Sequence, residues 1–218
     1  IPNPTIGMVQ GACIAGGLLL AWVCDLIVAS EDAYFADPVV RMGIPGVEYF
    51  AHPYELNPRI AKEFLFTGER MSAQRAYQMG MVNRVVPREQ LAAETLALAT
   101  KIAAQPRLGL ALTKQAINHV EDLQGKRAAM DAVFHMHHFA HAQNDLTSSN
   151  NLGGFDAKSM AAQNKAAEAK GSSLEVKIRG RRGAHGAIVL PRDGSPSSDL
   201  RSGRFRLRLA VRRHEWKD

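Results

Sequence analysis

The stretch QGACIAGGLLLAWVCD, residues 10–25, places Ala15-Gly16-Gly17 directly before an apolar run. A loop turning into a buried helix leaves the first N–H groups of that helix without intrahelical acceptors. Such donors suit a negatively charged oxygen. The residues that follow, Leu18-Leu19-Leu20, hold no acid, base or nucleophile. An acid does occur further on, Glu48 in GIPGVEYFAHP. A single carboxylate in an apolar pocket has a raised pKa and can shuttle one proton. At an exposed helix start the same residue would only favour the dipole. Tyr49 and His52 stand beside it and either assist or pack, the structural role being the usual one for a histidine near a helix start. Asp25 suits capping or orienting backbone. In HMHHFAH, His135, His137, His138 and His141 include pairs three and four apart that can share a helix face. No nearby Cys or carboxylate completes a zinc set, so an interface or pocket-lining role is expected and no metal.

The elements that must position these residues can be read from period and punctuation. PTIGMV, residues 4–9, is short, apolar and bounded by Pro and Gln-Gly, as a buried strand should be. Residues 16–23 read as a buried helix, DLIVAS (25–30) as a second strand, 34–36 as a third, and RMGIPG (41–46) as a loop. Strand, helix, strand and loop in that order predict an α/β unit with a parallel sheet. The chain then turns helical over 59–67, over a short Ser72-capped segment ending at Gly80, and over 89–104, 107–121 and 126–144. The strand-like MVNRVVP interrupts these helices.

The net charge of +6 suggests an anionic partner until it is located. From Lys170 onward there are 13 Lys and Arg against 5 Asp and Glu, a net of +8, so the preceding 169 residues carry 14 against 16, a net of −2. The basicity belongs to the tail. That tail has no sustained period, is dense in Arg, Gly and Ser, and is expected to be mostly disordered. With no groove-reading element to support its arginines, nucleic acid ranks last among the partners. Cys13 and Cys24 lie in apolar runs and read as core residues of a reducing compartment. No apolar run reaches a membrane span, and the expectation is a cytoplasmic protein. The chain opens at Ile1 without Met or a signal-peptide pattern, which reads as a fragment.

Three motifs occur in one order: PTIGMVQGACIAGGLLLAWVCDLIVAS, AYFADPVVRMGIPG and FLFTGERMSAQRAYQMGMVNRVVP. Over residues 3–165 the chain resembles the crotonase, or enoyl-CoA hydratase/isomerase, superfamily. The resemblance implies an α/β fold, a partial crotonase-like spiral of ββα units followed by a helical C-terminal region. The expected divisions are 1–105 for the α/β core, 106–165 for a helical oligomerisation region and 166–218 for the basic tail. It also implies binding of acyl-CoA thioesters, with coenzyme A as part of the substrate and no separate cofactor, and assembly as a homotrimer or a dimer of trimers.

The resemblance further implies that Gly16 supplies one of two backbone N–H groups to the thioester oxygen as charge builds on it. Donors aimed at a developing oxyanion are often the largest catalytic contribution. The second N–H is expected from an N-terminal half absent here, so the chain alone is expected to be inactive. The substrate pocket would include Ala15, Gly17, Leu19, Val39, Pro45 and Gly46. Hydratases of this superfamily use two glutamates, one to activate water and one to protonate carbon. Aligned residue by residue, those positions are Leu19 and Val39, which cannot transfer protons. Isomerases and an aryl-CoA dehalogenase carry an acid in the neighbourhood of Glu48. Two readings follow: an enzyme using Gly16 and Glu48, or a non-catalytic acyl-CoA-binding protein.

Overall fold

The computed structural model describes residues 2–46, 49–148 and 152–169. Two compact units divide the chain, Ile1–Lys170 and Gly171–Asp218, and the second lies outside the described residues, as does the expectation of a disordered tail there.

Strand β1 (Ile6–Val9) turns at Gly11, where φ is +61°, into β2 (Ala12–Ile14). Helix α1 (Gly16–Trp22) follows, then β3 (Leu26–Ser30) and β4 (Tyr34–Ala36). A 3-10 turn (Val39–Met42) occupies the start of the expected loop, and α2 (His52–Glu55) and α3 (Pro58–Thr67) come after it. A third pass adds β5 (Met71–Ser72), α4 (Ala73–Gln78) and β6 (Arg84–Val86). The six strands divide between two sheets. One has the order β1-β3-β6 and is parallel throughout; the other has the order β2-β4-β5, with β5 antiparallel. The first two passes each leave one strand in each sheet before a helix, and in the third α4 comes between β5 and β6; this is the crotonase ββα spiral in partial form.

Local signals explain the boundaries. Asn57 caps α3 by accepting from the Arg59 N–H at 3.0 Å, and the helix ends at left-handed Gly68. Ser72 caps α4 by accepting from the Arg75 N–H. The region expected to be helical at 89–104 opens as a 3-10 turn and becomes α5 (Leu91–Ala103). Helices α6 (Arg107–Leu123) and α7 (Lys126–Thr147) meet at Gly125, whose φ of +93° makes the reversal. Helix α8 (Ala157–Ala169) carries regular structure past residue 165, where composition alone had placed a division.

The core lies between the sheets and α1, α3 and α4, with Leu18, Phe35, Ile27, Phe64 and Val82 in one buried cluster. Each such side chain contributes about 1.5–3 kcal/mol by leaving water. Among the described residues no helix is long and apolar enough to cross a membrane.

Candidate active site

The chain leaves β2 at Ile14 and must turn sharply to start α1. Ala15 makes that turn with φ 48° and ψ −115°, the only positive φ outside glycine among the described residues. An L-residue there clashes with its own backbone, which costs on the order of 1–3 kcal/mol and persists only where the surroundings enforce it. They do so here: the Ala15 N–H donates to the Ala36 carbonyl at 3.0 Å, and the Ala15 carbonyl accepts the first helical bond, from Leu19, at 3.0 Å. The N–H groups of Gly16, Gly17 and Leu18 precede that bond and have no acceptor within the helix. Gly16 and Gly17 are exposed, and a Cβ added to either would meet nothing within 4 Å. The strained turn therefore leads into a helix start with two exposed glycines, whose N–H groups have no acceptor within the helix.

The other positions singled out by sequence fall on two surfaces. Leu19 is half-buried and packs against the main core, while Val39, 2% exposed, sits in a second apolar cluster with Ile44 and Leu65. Pro45 is half-buried. Gly46 is buried, and a Cβ there would lie 2.8 Å from Phe50 Cδ2. The Gly46 carbonyl accepts a hydrogen bond from His137 Nδ1. Glu48, with Val47, lies outside the described residues. Asp25 does orient backbone: its Oδ2 accepts from the Thr5 N–H at 2.6 Å and from the Thr5 hydroxyl, and pairs with Lys114 at 2.7 Å.

One pair was not legible beforehand. Asp37, directly after β4, and His52, the first residue of α2, are both fully buried, with His52 Nε2 2.9 Å from Asp37 Oδ2. The carboxylate accepts, so Nε2 carries the proton. Asp37 Oδ1, His52 Nδ1 and the neighbouring Trp22 Nε1 are buried without protein partners. The imidazole meets Trp22 edge-on and Phe50 at a tilt, each with centroids 4.7 Å away. The sequence signal was present but faint, an acid between a buried strand and Pro38 in AYFADP.

Residues 1–170 match the Enoyl-CoA hydratase/isomerase family. The chain belongs to that family. It is 48% identical over 139 residues to EchA13 of Mycobacterium tuberculosis, covering 63% of this chain and 44% of that one. It is 42% identical over 117 residues to the mouse "Enoyl-CoA hydratase domain-containing protein 3, mitochondrial", covering 52% and 38%. The crystal structure of a probable enoyl-CoA hydratase from Mycobacterium smegmatis superposes with a TM-score of 0.68 at 50% identity, over 72% of this chain and 63% of that one. The chain thus spans less than half the length of these curated relatives.

This enoyl-CoA hydratase/isomerase family member also has a cleft of about 840 Å³ at the other end of α1, lined by Trp22, Tyr49, Glu55, Ile102, Lys126 and Met130 among others. Burial pushes the Glu55 carboxyl up, against the pull of Lys126, and burial likewise raises the Tyr49 phenol. Lys126 stands 2.9 Å from Glu121 and 3.7 Å from Glu55. None of Ala15, Gly16, Gly17, Leu19 or Val39 lines this cleft. The seven residues of α1 separate the two regions by about 10 Å. The strained turn, where exposed Gly16 and Gly17 start the helix, is the candidate for binding an anionic oxygen; the cleft holds Tyr49, Glu55 and Lys126 instead. The histidine segment lies on α7, where His137 turns inward to Gly46, and no three His, Cys, Asp or Glu among the described residues form a metal set.

Proposed function

We propose that this chain, completed by the N-terminal half expected to supply the second N–H, holds an acyl-CoA thioester with its carbonyl oxygen on the Gly16 N–H and moves a double bond with Glu48 as the single acid and base. On a 3-enoyl thioester the Glu48 carboxylate takes a proton from C2. Negative charge builds on the thioester oxygen, and the carboxyl returns the proton to C4. The observation that carries this reading is the strained Ala15 turn, which starts α1 at exposed Gly16 and Gly17, the position the resemblance assigns to the oxyanion. Leu19 and Val39, both packed among apolar neighbours, argue against hydration by paired carboxylates. Coenzyme A enters as part of the substrate. The pocket residues Ala15, Gly17, Leu19, Val39, Pro45 and Gly46 border the reacting group.

A second reading, an acyl-CoA-binding protein without turnover, draws on the same two apolar positions. Exposed Leu108, Leu112, Ile117 and Leu123 on α6 and Phe139 on α7 suit the trimer expected for the family. The free thiols of Cys13 and Cys24 suit a reducing compartment such as the cytoplasm. The division into an α/β core over 1–105, an oligomerisation region over 106–165 and a tail over 166–218 belongs to the same proposal.

The test, on the protein with its N-terminal half restored, follows crotonyl-CoA and a 3-enoyl-CoA for binding by calorimetry and for movement of the double bond. Isomerisation that is lost in Glu48→Gln, with binding kept, is the expected result. Binding without turnover selects the second reading, and absence of binding overturns both.

A further inference from the structure

We propose that Asp37 and His52 are the positioning pair of this site, setting both the helix start that presents the Gly16 N–H and the loop that carries Gly46. The inference rests on the oxyanion reading above.

Two fully buried ionisable side chains are a costly way to fill a core. Apolar residues of the same size are often as stable or more so. What a buried hydrogen bond adds is direction. At 2.9 Å, the bond from His52 Nε2 to Asp37 Oδ2 fixes the plane of the imidazole and ties α2 to the end of β4, which apolar packing would leave free to slide.

Each side of the pair leads to a part of the site. The residue before Asp37 is Ala36, whose carbonyl accepts from Ala15 and so holds the strained turn. The imidazole edge meets Trp22, the last residue of α1. Helix α1 is therefore held at its first turn through Ala36 and at its last through His52, and both anchors belong to one hydrogen-bonded unit. The imidazole also meets Phe50, whose Cδ2 would lie 2.8 Å from a Cβ added at Gly46. The run from Gly46 through Phe50, His52, Asp37 and Ala36 to Ala15 is contiguous, although its members come from separate segments of the chain. Neither Asp37 nor His52 has surface from which to touch a ligand. Their effect reaches the substrate only through the backbone they hold.

A probe that reads the oxyanion contact directly separates positioning from simple support. A push-pull dimethylaminocinnamoyl-CoA absorbs at longer wavelength when its thioester oxygen accepts hydrogen bonds. Bound to the unaltered protein with its N-terminal half restored, as in every variant below, it should show that red shift. In Asp37→Asn and in His52→Gln the probe should still bind while more than half of the shift is lost, and turnover should lose kcat with KM kept. The double variant should lose no more than either single one, because the two residues act as a unit. A pair that only stabilises the fold would lower the unfolding midpoint and leave the shift of the bound probe intact. That result overturns the inference and leaves the oxyanion reading standing. A bound probe with no shift on the unaltered chain would overturn the oxyanion reading, and this inference with it. Should the variants fail to fold, the imidazole nitrogen shifts of His52 in the unaltered chain decide: the proton is expected on Nε2, and a proton on Nδ1 refutes the pair.

Discussion

Replacing His52 by Phe removes the partner of Asp37 while keeping a ring of similar size against Trp22 and Phe50, so little of the effect can come from a cavity. The carboxylate of Asp37 then stands fully buried with Oδ1 already unpartnered and Oδ2 newly so. Stranding one member of a buried pair costs about 3–5 kcal/mol. Asp37→Leu leaves the imidazole Nε2–H without its acceptor and should cost less, about 1–3 kcal/mol. The double replacement removes the desolvated atoms together and should return to within about 1 kcal/mol of the starting stability. The double-mutant cycle therefore predicts strong coupling, with the second substitution rescuing the first. Urea unfolding followed by the fluorescence of buried Trp22 and by far-ultraviolet dichroism measures all four corners, provided the slopes agree. A cost for His52→Phe below about 1 kcal/mol, or a double variant as unstable as the two single changes added, would refute the account of the pair as mutually dependent.

Three further outcomes can be checked with ordinary measurements. Although partial burial pushes the Asp25 carboxyl up, hydrogen bonds from Lys114 and Thr5 outweigh it and hold the group below its ordinary 3.8. A depressed carboxylate contributes stability above its unfolded pKa and loses it as pH falls through the folded one, so Asp25→Asn should flatten the acid limb of the urea midpoint between about pH 5 and pH 2; an unchanged limb would count against it. Burial raises the Cys13 thiol to about 11, whereas Cys24 is only half-buried, so iodoacetamide should alkylate Cys24 first and Cys13 only after unfolding, as peptide mass spectrometry would show. Gly43 has φ +82°, and a Cβ there would sit 2.8 Å from Gly153 Cα, so Gly43→Ala should cost about 2–4 kcal/mol. The amide of Phe155, bonded to the Arg41 carbonyl at 2.8 Å, should exchange faster in that variant, and unaltered exchange would contradict the contact.

Much of the fold was legible because its signals are local. Ser72 before Ala73 and Gly68 and Gly80 at helix ends each act within one turn of chain, and the period of the apolar residues located the helices between them. The order of three motifs carried the family, and through it the ββα spiral. Elements shorter than their signals were less clear: RMGIPG read as a loop, yet its first residues form part of a 3-10 turn, a conformation that leaves no periodic trace in four residues.

The site divides along the same line. The sequence by itself determined that a Gly-Gly helix start follows a buried strand, that Leu19 and Val39 carry no transferable protons, and that the net positive charge comes from the tail. Only the tertiary structure decided that Ala15 is strained, because that strain depends on the acceptor at Ala36, 21 residues on. It likewise joined Asp37 to His52, turned His137 toward Gly46 across a separation of 91 residues, and raised the Glu55 carboxyl by burying it. Caps and periods depend on neighbours in the chain, whereas burial, electrostatics and hydrogen bonds between segments depend on which surfaces the finished fold brings together.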